Sequence, residues 1–385
     1  MVKIIVYYHN HLLRLEASPA SQTSQIFDTL KQSFQLEGNQ ADYYIWASKF
    51  YEFGTTKLQE IGNLHEARLF LVDKADKEKL DPFMSNILPS IVYEAANATQ
   101  DGHSIISGIQ SMHNFVINFS KDDVAEKVLS IIPFDRIDPF EGDAKVAEIT
   151  KWFKEDFFTF VKEFPCHNCG GPTVRKTDPS IPPFPSETEA KYLASRCELY
   201  YCQSCGAITR FPRYNDVCKL LETRKGRCGE FANTFGAILK TLGYDIRLVD
   251  DFNDHIWVEF WSDEKGRYVH VDPCENIVDQ PLTYEKGWGK KETWVIAVGE
   301  NQCADVTPKY TQNIDDCIRR RKSLCPEEWY AKYIKFKNEE FLSSIESEDG
   351  RNEILEHQQK DSESMKNVRT ETRPEEERSR ISGNE

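Results

Sequence analysis

A cysteine, a histidine and an aspartate in the middle of the chain follow one another in the order of a nucleophilic triad. Cys228 begins a stretch in which apolar residues recur at helical spacing, so the sequence predicts that it lies at a helix N-terminus. The helix dipole favours the thiolate form of a cysteine there, and the thiolate is the competent nucleophile. Two short segments with the alternating pattern of β-strands then carry His255 and Asp272. This order indicates nucleophilic acyl chemistry, in which Cys228 attacks, His255 transfers the proton and Asp272 orients the imidazole.

The segments that carry His255 and Asp272 are predicted to pair as a β-hairpin. A turn centred on Asp263 and Glu264 would place His255 directly opposite Asp272. A slip of the register by one residue would turn the aspartate to the other face of the sheet. Each member of the triad is also common in a purely structural role, and it is their joint occurrence that favours catalysis.

A second group of residues that could do chemistry is a pair of Cys-x-x-Cys motifs, each followed by a glycine. Their cysteines are Cys166, Cys169, Cys202 and Cys205. Four thiolates with this spacing can close a tetrahedral zinc site, and closed sites of this kind are structural. A redox dithiol or two disulfides are the alternatives, and His167 and Cys197 are less favoured as substitute ligands. We expect one structural zinc ion per chain.

Longer stretches around these motifs resemble one family, the cytoplasmic peptide:N-glycanases of the transglutaminase-like superfamily. The stretches are residues 152–158, 209–215, 220–230, 279–282 and 284–291, and the resemblance extends over roughly residues 145–315. It implies an α+β fold with a transglutaminase-like (papain-like) cysteine hydrolase core and a four-cysteine zinc site.

The resemblance also implies an activity, the hydrolysis of the amide that joins N-acetylglucosamine to an asparagine side chain. The substrates would be misfolded N-glycoproteins in the course of their degradation, and the asparagine would become aspartate. Trp257 and Glu275 resemble the wall of the family's sugar site, although core packing would equally explain the tryptophan and capping of a loop the glutamate.

Two other classes of function stay open on the same residues. A thiol protease or a protein-crosslinking transglutaminase would use the same triad. A non-catalytic protein with a transglutaminase fold, like those of DNA repair, would usually have lost triad residues, and this chain retains all three.

The chain is long enough for more than one domain, and its composition changes along its length. We expect an interaction domain over residues 1–75, a linker over residues 76–90, and a catalytic domain over residues 91–338 that includes the cysteine motifs at 166–205. Residues 339–385 are charged and almost free of aromatic side chains, so they are predicted to be a disordered tail.

The first domain is predicted to contain a hairpin over residues 3–8 and 12–15, a helix over residues 22–36 and a closing strand over residues 67–72. This order resembles a ubiquitin-like β-grasp. The resemblance implies an interaction module for proteasome- or ubiquitin-pathway proteins, and a stabilising extension is the alternative.

Charge and composition restrict the classes of binding partner and the cellular compartment. The formal net charge of −15 argues against a nucleic-acid-binding surface, since phosphate contacts need clustered lysine and arginine. No apolar run approaches membrane length, so no membrane insertion is expected. The eleven cysteines and an N-terminus without a signal-peptide pattern indicate a reducing compartment, the cytoplasm or also the nucleus.

Overall fold

The computed structural model describes residues 2–8, 11–46, 50–58, 61, 66–76, 100–175, 185–194, 196–322, 325, 327–343, 345, 347–366 and 371–382. The chain divides into two compact units, Met1–Thr99 and Gln100–Glu385. Nearly all of the predicted linker at residues 76–90 lies outside the described residues.

The first unit is a five-stranded sheet whose core includes one long helix. Its elements are β1 Val2–Tyr8, β2 His11–Ala17, α1 Thr23–Phe34, β3 Tyr43–Trp46, β4 Phe50–Glu52 and β5 Glu66–Asp73. The strand order is β2-β1-β5-β3-β4, with β1 and β5 parallel and the other neighbours antiparallel. Ile26 and Leu30, one turn apart on α1, share a buried core with Ile4 and Leu69 of the sheet. The predicted hairpin, helix and closing strand are confirmed.

The second unit contains three sheets. Its strands are β6 Thr159–Phe160, β7 Thr173–Arg175, β8 Cys197–Cys202, β9 Ile208–Pro212, β10 Lys225–Gly226, β11 Ile246–Asp250, β12 Ile256–Ser262, β13 Arg267–Asp272, β14 Ile277–Val278, β15 Ile296–Gly299 and β16 Cys303–Asp305. The main sheet is antiparallel, in the order β14-β13-β12-β11-β15-β16. Strands β7, β8 and β9 form a small antiparallel sheet, and β6 pairs with β10 in parallel.

Helices surround the main sheet, so the second unit is a mixed α+β fold. They are α2 Gln100–Asn118, α3 Asp122–Leu129, α4 Phe134–Ile137, α5 Gly142–Trp152, α6 Glu187–Ala190, α7 Val217–Thr223, α8 Cys228–Thr241, α9 Thr283–Lys286, α10 Thr307–Tyr310, α11 Ile314–Arg321, α12 Glu327–Ser343 and α13 Glu348–Lys366. Helix α8 packs against β11 and β12. Its apolar residues Phe235, Ile238 and Leu239 are fully buried, as their helical spacing predicts.

The hairpin of β12 and β13 has a register that differs from the predicted one by two residues. Ser262 pairs with Arg267, so four residues rather than two connect the strands. The predicted direct opposition of His255 and Asp272 was therefore wrong. The longer turn closes because Gly266 adopts a φ of +59° and donates its N–H to the carbonyl of Ser262 at 2.8 Å. A displacement of two residues keeps every side chain on its predicted face of the sheet.

The prediction of a disordered tail is wrong for the described part of residues 339–385. Helix α12 extends to Ser343 and α13 follows, packed against β13. Charged groups hold α13 in place: the carboxylate of Asp361, 1% exposed, accepts hydrogen bonds from Arg247 and Lys309, each at 2.6 Å. The prediction considered only apolar burial, and a charged helix can also be held by buried, hydrogen-bonded ion pairs.

Asp361→Asn should destabilise the second unit by about 3–5 kcal/mol, because it leaves the buried cations of Arg247 and Lys309 opposed by the single carboxylate of Glu259. Urea unfolding followed by tryptophan fluorescence measures this change, and hydrogen exchange should lose protection in residues 348–366. Asp28→Asn, on an exposed part of α1, is the control and should stay within about 0.5 kcal/mol of the wild type. Equal stability of Asp361→Asn and the wild type would contradict the ion-pair account.

Candidate active site and cysteine cluster

Cys228 is the first residue of helix α8, as predicted, and is only 6% exposed. The helix is capped by Glu230, whose carboxylate accepts the backbone N–H of Arg227 at 2.9 Å. The side chain of Glu230 folds back over Gly226, where an added Cβ would overlap it. Position 226 therefore requires glycine, and the cap holds Cys228 at the positive end of the helix dipole.

Four buried charged side chains fix the start of α8. Glu198, on β8, accepts hydrogen bonds from Arg213 at 3.0 Å and from Arg227 at 2.9 Å. Glu230 accepts two more from Arg213, at 2.6 and 2.9 Å. All four side chains are at most 7% exposed. Two positive and two negative charges thus join β8 to the first turn of the Cys228 helix.

His255 and Asp272, the predicted base and its orienting partner, lie in contact. Nε2 of His255 donates to Oδ2 of Asp272 at 2.7 Å, and both side chains are fully buried. The other carboxylate oxygen accepts the backbone N–H of Cys274 at 2.8 Å. Burial alone would raise the pKa of Asp272, but the charge and hydrogen bond of His255, with further help from His270 and Tyr284, lower it to about 2. Asp272 is therefore ionised at every working pH.

A chain of hydrogen bonds behind Asp272 fixes its orientation. Tyr284 donates its hydroxyl proton to Oδ2 of Asp272 at 3.1 Å, and Nε2 of His270 lies 2.7 Å from that hydroxyl. The backbone N–H of Gln280 donates to Nδ1 of His270, so Nε2 carries the proton. Burial lowers the pKa of His270 to about 4, which keeps this ring neutral. No pattern in the sequence indicates these roles for Tyr284 and His270, although Tyr284 is the first residue of the family-like stretch 284–291.

The imidazole of His255 is held between aromatic rings. Trp288 packs edge-on at 5.0 Å, and Tyr284 lies at 5.4 Å. Its second nitrogen, Nδ1, is buried and hydrogen-bonds to no protein atom in the described part of the chain. Because Nε2 is committed to Asp272, Nδ1 is the nitrogen that remains for proton transfer.

Trp257, predicted to contact sugar, lies in the core. It is fully buried, stacks on Tyr284 at 4.3 Å and donates its indole N–H to Tyr310 at 2.8 Å. The alternative of core packing is thus the one that the burial supports. Trp257 still contributes to the position of His255, because the two rings stack with their centroids 5.8 Å apart.

Glu275, the other predicted sugar contact, is 1% exposed and already has partners. Its two carboxylate oxygens accept the backbone N–H groups of Ile381 and Ser382, each at 2.8 Å. A segment near the C-terminal end of the sequence therefore covers this carboxylate.

The surroundings of Cys274 show that Cys228, on helix α8, and Asp272, on the hairpin of β12 and β13, lie near one another. Burial raises the pKa of the Cys274 thiol well above its usual range, and the charges of Asp272 and Cys228 raise it further. Cys228 and Asp272 therefore both lie close to Cys274, and Cys274 is a protonated thiol of the core.

The four predicted metal ligands form one cluster. The sulfur atoms of Cys166, Cys169, Cys202 and Cys205 all lie within 4.8 Å of one another. Sulfur atoms of Cys166 and Cys205 are 3.5 Å apart, as are those of Cys169 and Cys202. A tetrahedral zinc site with zinc–sulfur distances of about 2.3 Å would place its sulfurs about 3.8 Å apart, so the donor set fits such an ion.

The two cysteine motifs have the same backbone geometry. Gly170 and Gly206 adopt φ values of +69° and +73°, and each donates its N–H to the carbonyl of the first cysteine of its motif. Their left-handed conformation explains the glycine after each pair. The two less favoured ligands have other partners, since His167 hydrogen-bonds Thr209 and the thiol of Cys197 donates to the carbonyl of Glu198 at 3.7 Å.

Family models match the region of the candidate triad. The model of the transglutaminase-like superfamily matches residues 184–273, which include Cys228, His255 and Asp272. The model of the Rad4 transglutaminase-like domain matches residues 250–370.

Curated relatives match over a longer stretch. A peptide-N(4)-(N-acetyl-beta-glucosaminyl)asparagine amidase of Gallus gallus is 37% identical over 271 residues, which are 66% of this chain and 41% of that protein. The amidase of Arabidopsis thaliana is 42% identical and that of Saccharomyces cerevisiae 45%, over 52% and 44% of this chain and 28% and 46% of those proteins. Over about half its length, this chain is a peptide:N-glycanase homologue with a transglutaminase-like core.

The chain spans less than half the length of each of these three peptide:N-glycanases. A crystal structure of Rad4–Rad23 crosslinked to undamaged DNA superposes with a TM-score of 0.43 at 14% identity, over 69% of this chain and 58% of that one, which is too weak to bear on function. Among the residues that the structure describes, no helix is long and apolar enough to span a bilayer.

Glu198→Gln should destabilise the second unit by about 3–5 kcal/mol at neutral pH, because it leaves two buried arginines with one carboxylate. Burial opposes ionisation of Glu198, but the hydroxyl of Tyr200 and the two guanidinium groups lower its pKa below the usual 4.5. The difference in unfolding free energy between Glu198→Gln and the wild type should therefore reach its full size above pH 4.5 and become smaller as the pH falls below that value. Urea unfolding from pH 3 to 7 measures this, with the exposed Glu155→Gln as control. A difference that does not change with pH would contradict the assignment.

Proposed function

We propose that this chain hydrolyses the amide bond between N-acetylglucosamine and the asparagine side chain of misfolded N-glycoproteins. The observation that carries the proposal is the buried pair of His255, which directly precedes β12, and Asp272 at the end of β13, in the sheet that packs against the helix that begins at Cys228. Identity of about 40% to amidases of animals, plants and yeast supports the choice of substrate. The products are a glycosylamine and an aspartate in place of the asparagine.

The proposed reaction begins at the sulfur of Cys228. Nδ1 of His255 takes the thiol proton, and the sulfur attacks the carbonyl carbon of the asparagine side chain. The carbon–nitrogen bond then breaks, the same proton goes to the departing sugar amine, and a thioester remains. Asp272 holds the imidazole with Nδ1 free and stabilises its positive charge.

Water completes the cycle. His255 takes a proton from the water as it attacks the thioester, and the sulfur leaves as a thiol after receiving that proton. The oxyanion of both steps needs preorganised donors, and the backbone N–H of Cys228 at the first turn of α8 is suited to that role.

Burial of the reacting groups favours unfolded substrates. Cys228 and His255 are 6% and 2% exposed, so the asparagine side chain must reach into the site. A near-attack geometry of about 3–3.5 Å is hard to achieve when the asparagine is fixed on a rigid native surface. Denatured glycoproteins should therefore react faster than native ones.

We further propose that the cysteine cluster holds one zinc ion with a structural role. All four ligands are protein sulfurs, which leaves no position for substrate. Glu198 and Cys202 lie on the same strand, β8, so the cluster would act on Cys228 through the position of that strand.

The first unit we propose to be a ubiquitin-like β-grasp module. The strand order β2-β1-β5-β3-β4, with parallel central strands and one helix, supports this assignment. Its partners would be proteins of the ubiquitin or proteasome pathway, reached in the cytosol or the nucleus.

Cys228→Ala should abolish deglycosylation, since the nucleophile is lost, while the unfolding free energy changes little. Asp272→Asn should reduce the rate by about 10⁴-fold, because the amide would donate to Nε2 and place the imidazole proton on Nδ1. The assay follows conversion of asparagine to aspartate by mass spectrometry in heavy-oxygen water, on a denatured high-mannose glycoprotein. Cys218→Ala, away from the triad, is the matched control for the cysteine change.

The same assay decides between the functions. One tenth of wild-type activity in Cys228→Ala would refute the triad. Peptide cleavage or amine incorporation on unglycosylated protein, without glycan release, would indicate a protease or a transglutaminase.

Removal of zinc should lower the stability of the second unit, because binding to four thiolates contributes folding free energy. Cys202→Ser should do the same, and Cys303→Ser, a buried cysteine outside the cluster, is the control for zinc content. Elemental analysis of the wild type should give about one zinc per chain. Fully stable and active protein that contains no zinc would refute the site.

A further inference from the structure

The backbone of the candidate histidine is held by a single residue that precedes it in the same turn. Asp251 is 0% exposed, and Oδ1 of its carboxylate accepts the backbone N–H of His255 at 2.9 Å. The backbone N–H of Asp251 donates to the carbonyl of His255 at 3.1 Å. Both main-chain polar groups of His255 are therefore bonded to Asp251, one through the carboxylate and one through the backbone.

The turn between Asp251 and His255 has a backbone conformation that non-glycine residues rarely adopt. Phe252 and Asp254 have φ values of +50° and +92°, in the left-handed region that favours glycine. Oδ1 of Asp251 holds the turn by also accepting the N–H of Asn253 at 2.8 Å. Strained backbone of this kind persists only where the surrounding contacts enforce it, and it is frequent at functional sites.

Helix α2 supports the same turn from outside the sheet. The ring of Phe252 lies beside Gly108, where an added Cβ would be 2.5 Å from a ring carbon. The carboxylate of Asp250 accepts the backbone N–H of Phe252 at 2.7 Å. The path of the chain into His255 is thus fixed on both sides of the turn.

The second carboxylate oxygen of Asp251 is bonded to the segment that carries other neighbours of the imidazole. Nζ of Lys290 donates to Oδ2, and the backbone N–H of Lys290 donates to the carbonyl of Tyr284 at 2.9 Å. Tyr284 and Trp288 of this segment lie 5.4 and 5.0 Å from the ring of His255. One buried carboxylate therefore joins the backbone of His255 to residues that pack around its ring.

We propose that Asp251 is a positioning residue for the base of the reaction, and that its carboxylate sets the backbone conformation of His255. The imidazole then directs Nε2 to Asp272, at 2.7 Å, and leaves Nδ1 for proton transfer. The part that concerns catalysis rests on the proposed function. Only two rotatable bonds separate the ring from the backbone, so a displacement of the backbone by about 1 Å carries the ring out of its reactive position.

Two substitutions separate this role from a general contribution to stability. Asp251→Asn keeps an acceptor oxygen for the N–H of His255 but places an amide in front of the ammonium of Lys290. Asp251→Glu keeps the charge for Lys290 but is longer by one methylene group, so its oxygens no longer fit the N–H of His255. Positioning of the histidine makes the Glu variant the less active one. A role of the ion pair in stability alone makes the Asn variant the more impaired one.

The position of the imidazole can be measured without substrate, by NMR of the full-length protein with isotope-labelled histidine. The Nε2–H resonance of His255 is assigned by its loss in His255→Ala. It should be the same in the wild type, in Asp251→Asn and in the control Asp135→Asn, an exposed acid on α4. In Asp251→Glu it should shift or exchange rapidly with solvent, because the bond to Asp272 is lengthened. An unchanged resonance in Asp251→Glu, or its loss in Asp251→Asn, would overturn the proposal.

Hydrolysis of a denatured glycoprotein tests the consequence for catalysis. We expect kcat to fall about 100-fold in Asp251→Glu and less than about tenfold in Asp251→Asn. KM should stay within about twofold of the wild type in both, since Asp251 acts through His255 rather than on the substrate. Wild-type kcat in Asp251→Glu, or a larger loss in Asp251→Asn than in Asp251→Glu, would contradict the proposed role.

Urea unfolding shows whether each variant is folded. Should Asp251→Glu not fold, Asp251→Asn decides alone: a preserved resonance with nearly full kcat supports the proposal, and a loss of about 100-fold in folded protein refutes it. Inactivity of every protein, the wild type included, would refute the proposed function. The resonance of His255 would then still decide whether Asp251 positions the histidine.

Discussion

The position of Cys228, the proposed nucleophile, depends on four charged side chains that are at most 7% exposed. Glu198 and Glu230 share the guanidinium groups of Arg213 and Arg227, and Arg227 is also the residue that precedes Cys228. Removing any one charge from such a group leaves another uncompensated in the interior. Because Glu198 lies on the strand that ends at Cys202, the cysteine cluster and the start of the helix form a single mechanical unit. The hairpin with His255 and Asp272 can then meet a thiol whose position is already fixed.

The sequence predicted the contact between His255 and Asp272 from a wrong register. Helical spacing after Cys228 and strand alternation around His255 and Asp272 are strong local signals, and both elements are present. The turn between the strands is a weaker signal, because a left-handed Gly266 allows a four-residue connection as readily as the shorter one that was predicted. The predicted register differs from the observed one by two residues, which is an even number. Side chains alternate with a period of two, so Asp272 still lies on the same face of the sheet as His255, two residues away from the position directly opposite it.

Buried charges account for most of what could not be predicted. A glutamate such as Glu198 and an aspartate such as Asp361 look like surface residues in any hydropathy pattern, and their partners are distant in sequence. The disorder predicted for the tail failed for this reason, since Asp361 contributes through Arg247 and Lys309 rather than through apolar area. Trp257 shows the opposite case, because an aromatic residue on a strand face gives no indication whether that face is open or covered.

The pairing of Arg247 with Asp361 also has a consequence for the order of folding. The two residues are 114 positions apart, and Glu275 is separated from Ile381 by 106. Contacts over such distances require closure of long loops, which makes them slow to form. During synthesis the main sheet emerges from the ribosome well before its charged partners, so Arg247 is made without Asp361. Until α13 is made, Glu259 is therefore the single carboxylate that opposes both Arg247 and Lys309, and the core of the sheet carries an excess positive charge that Asp361 later neutralises.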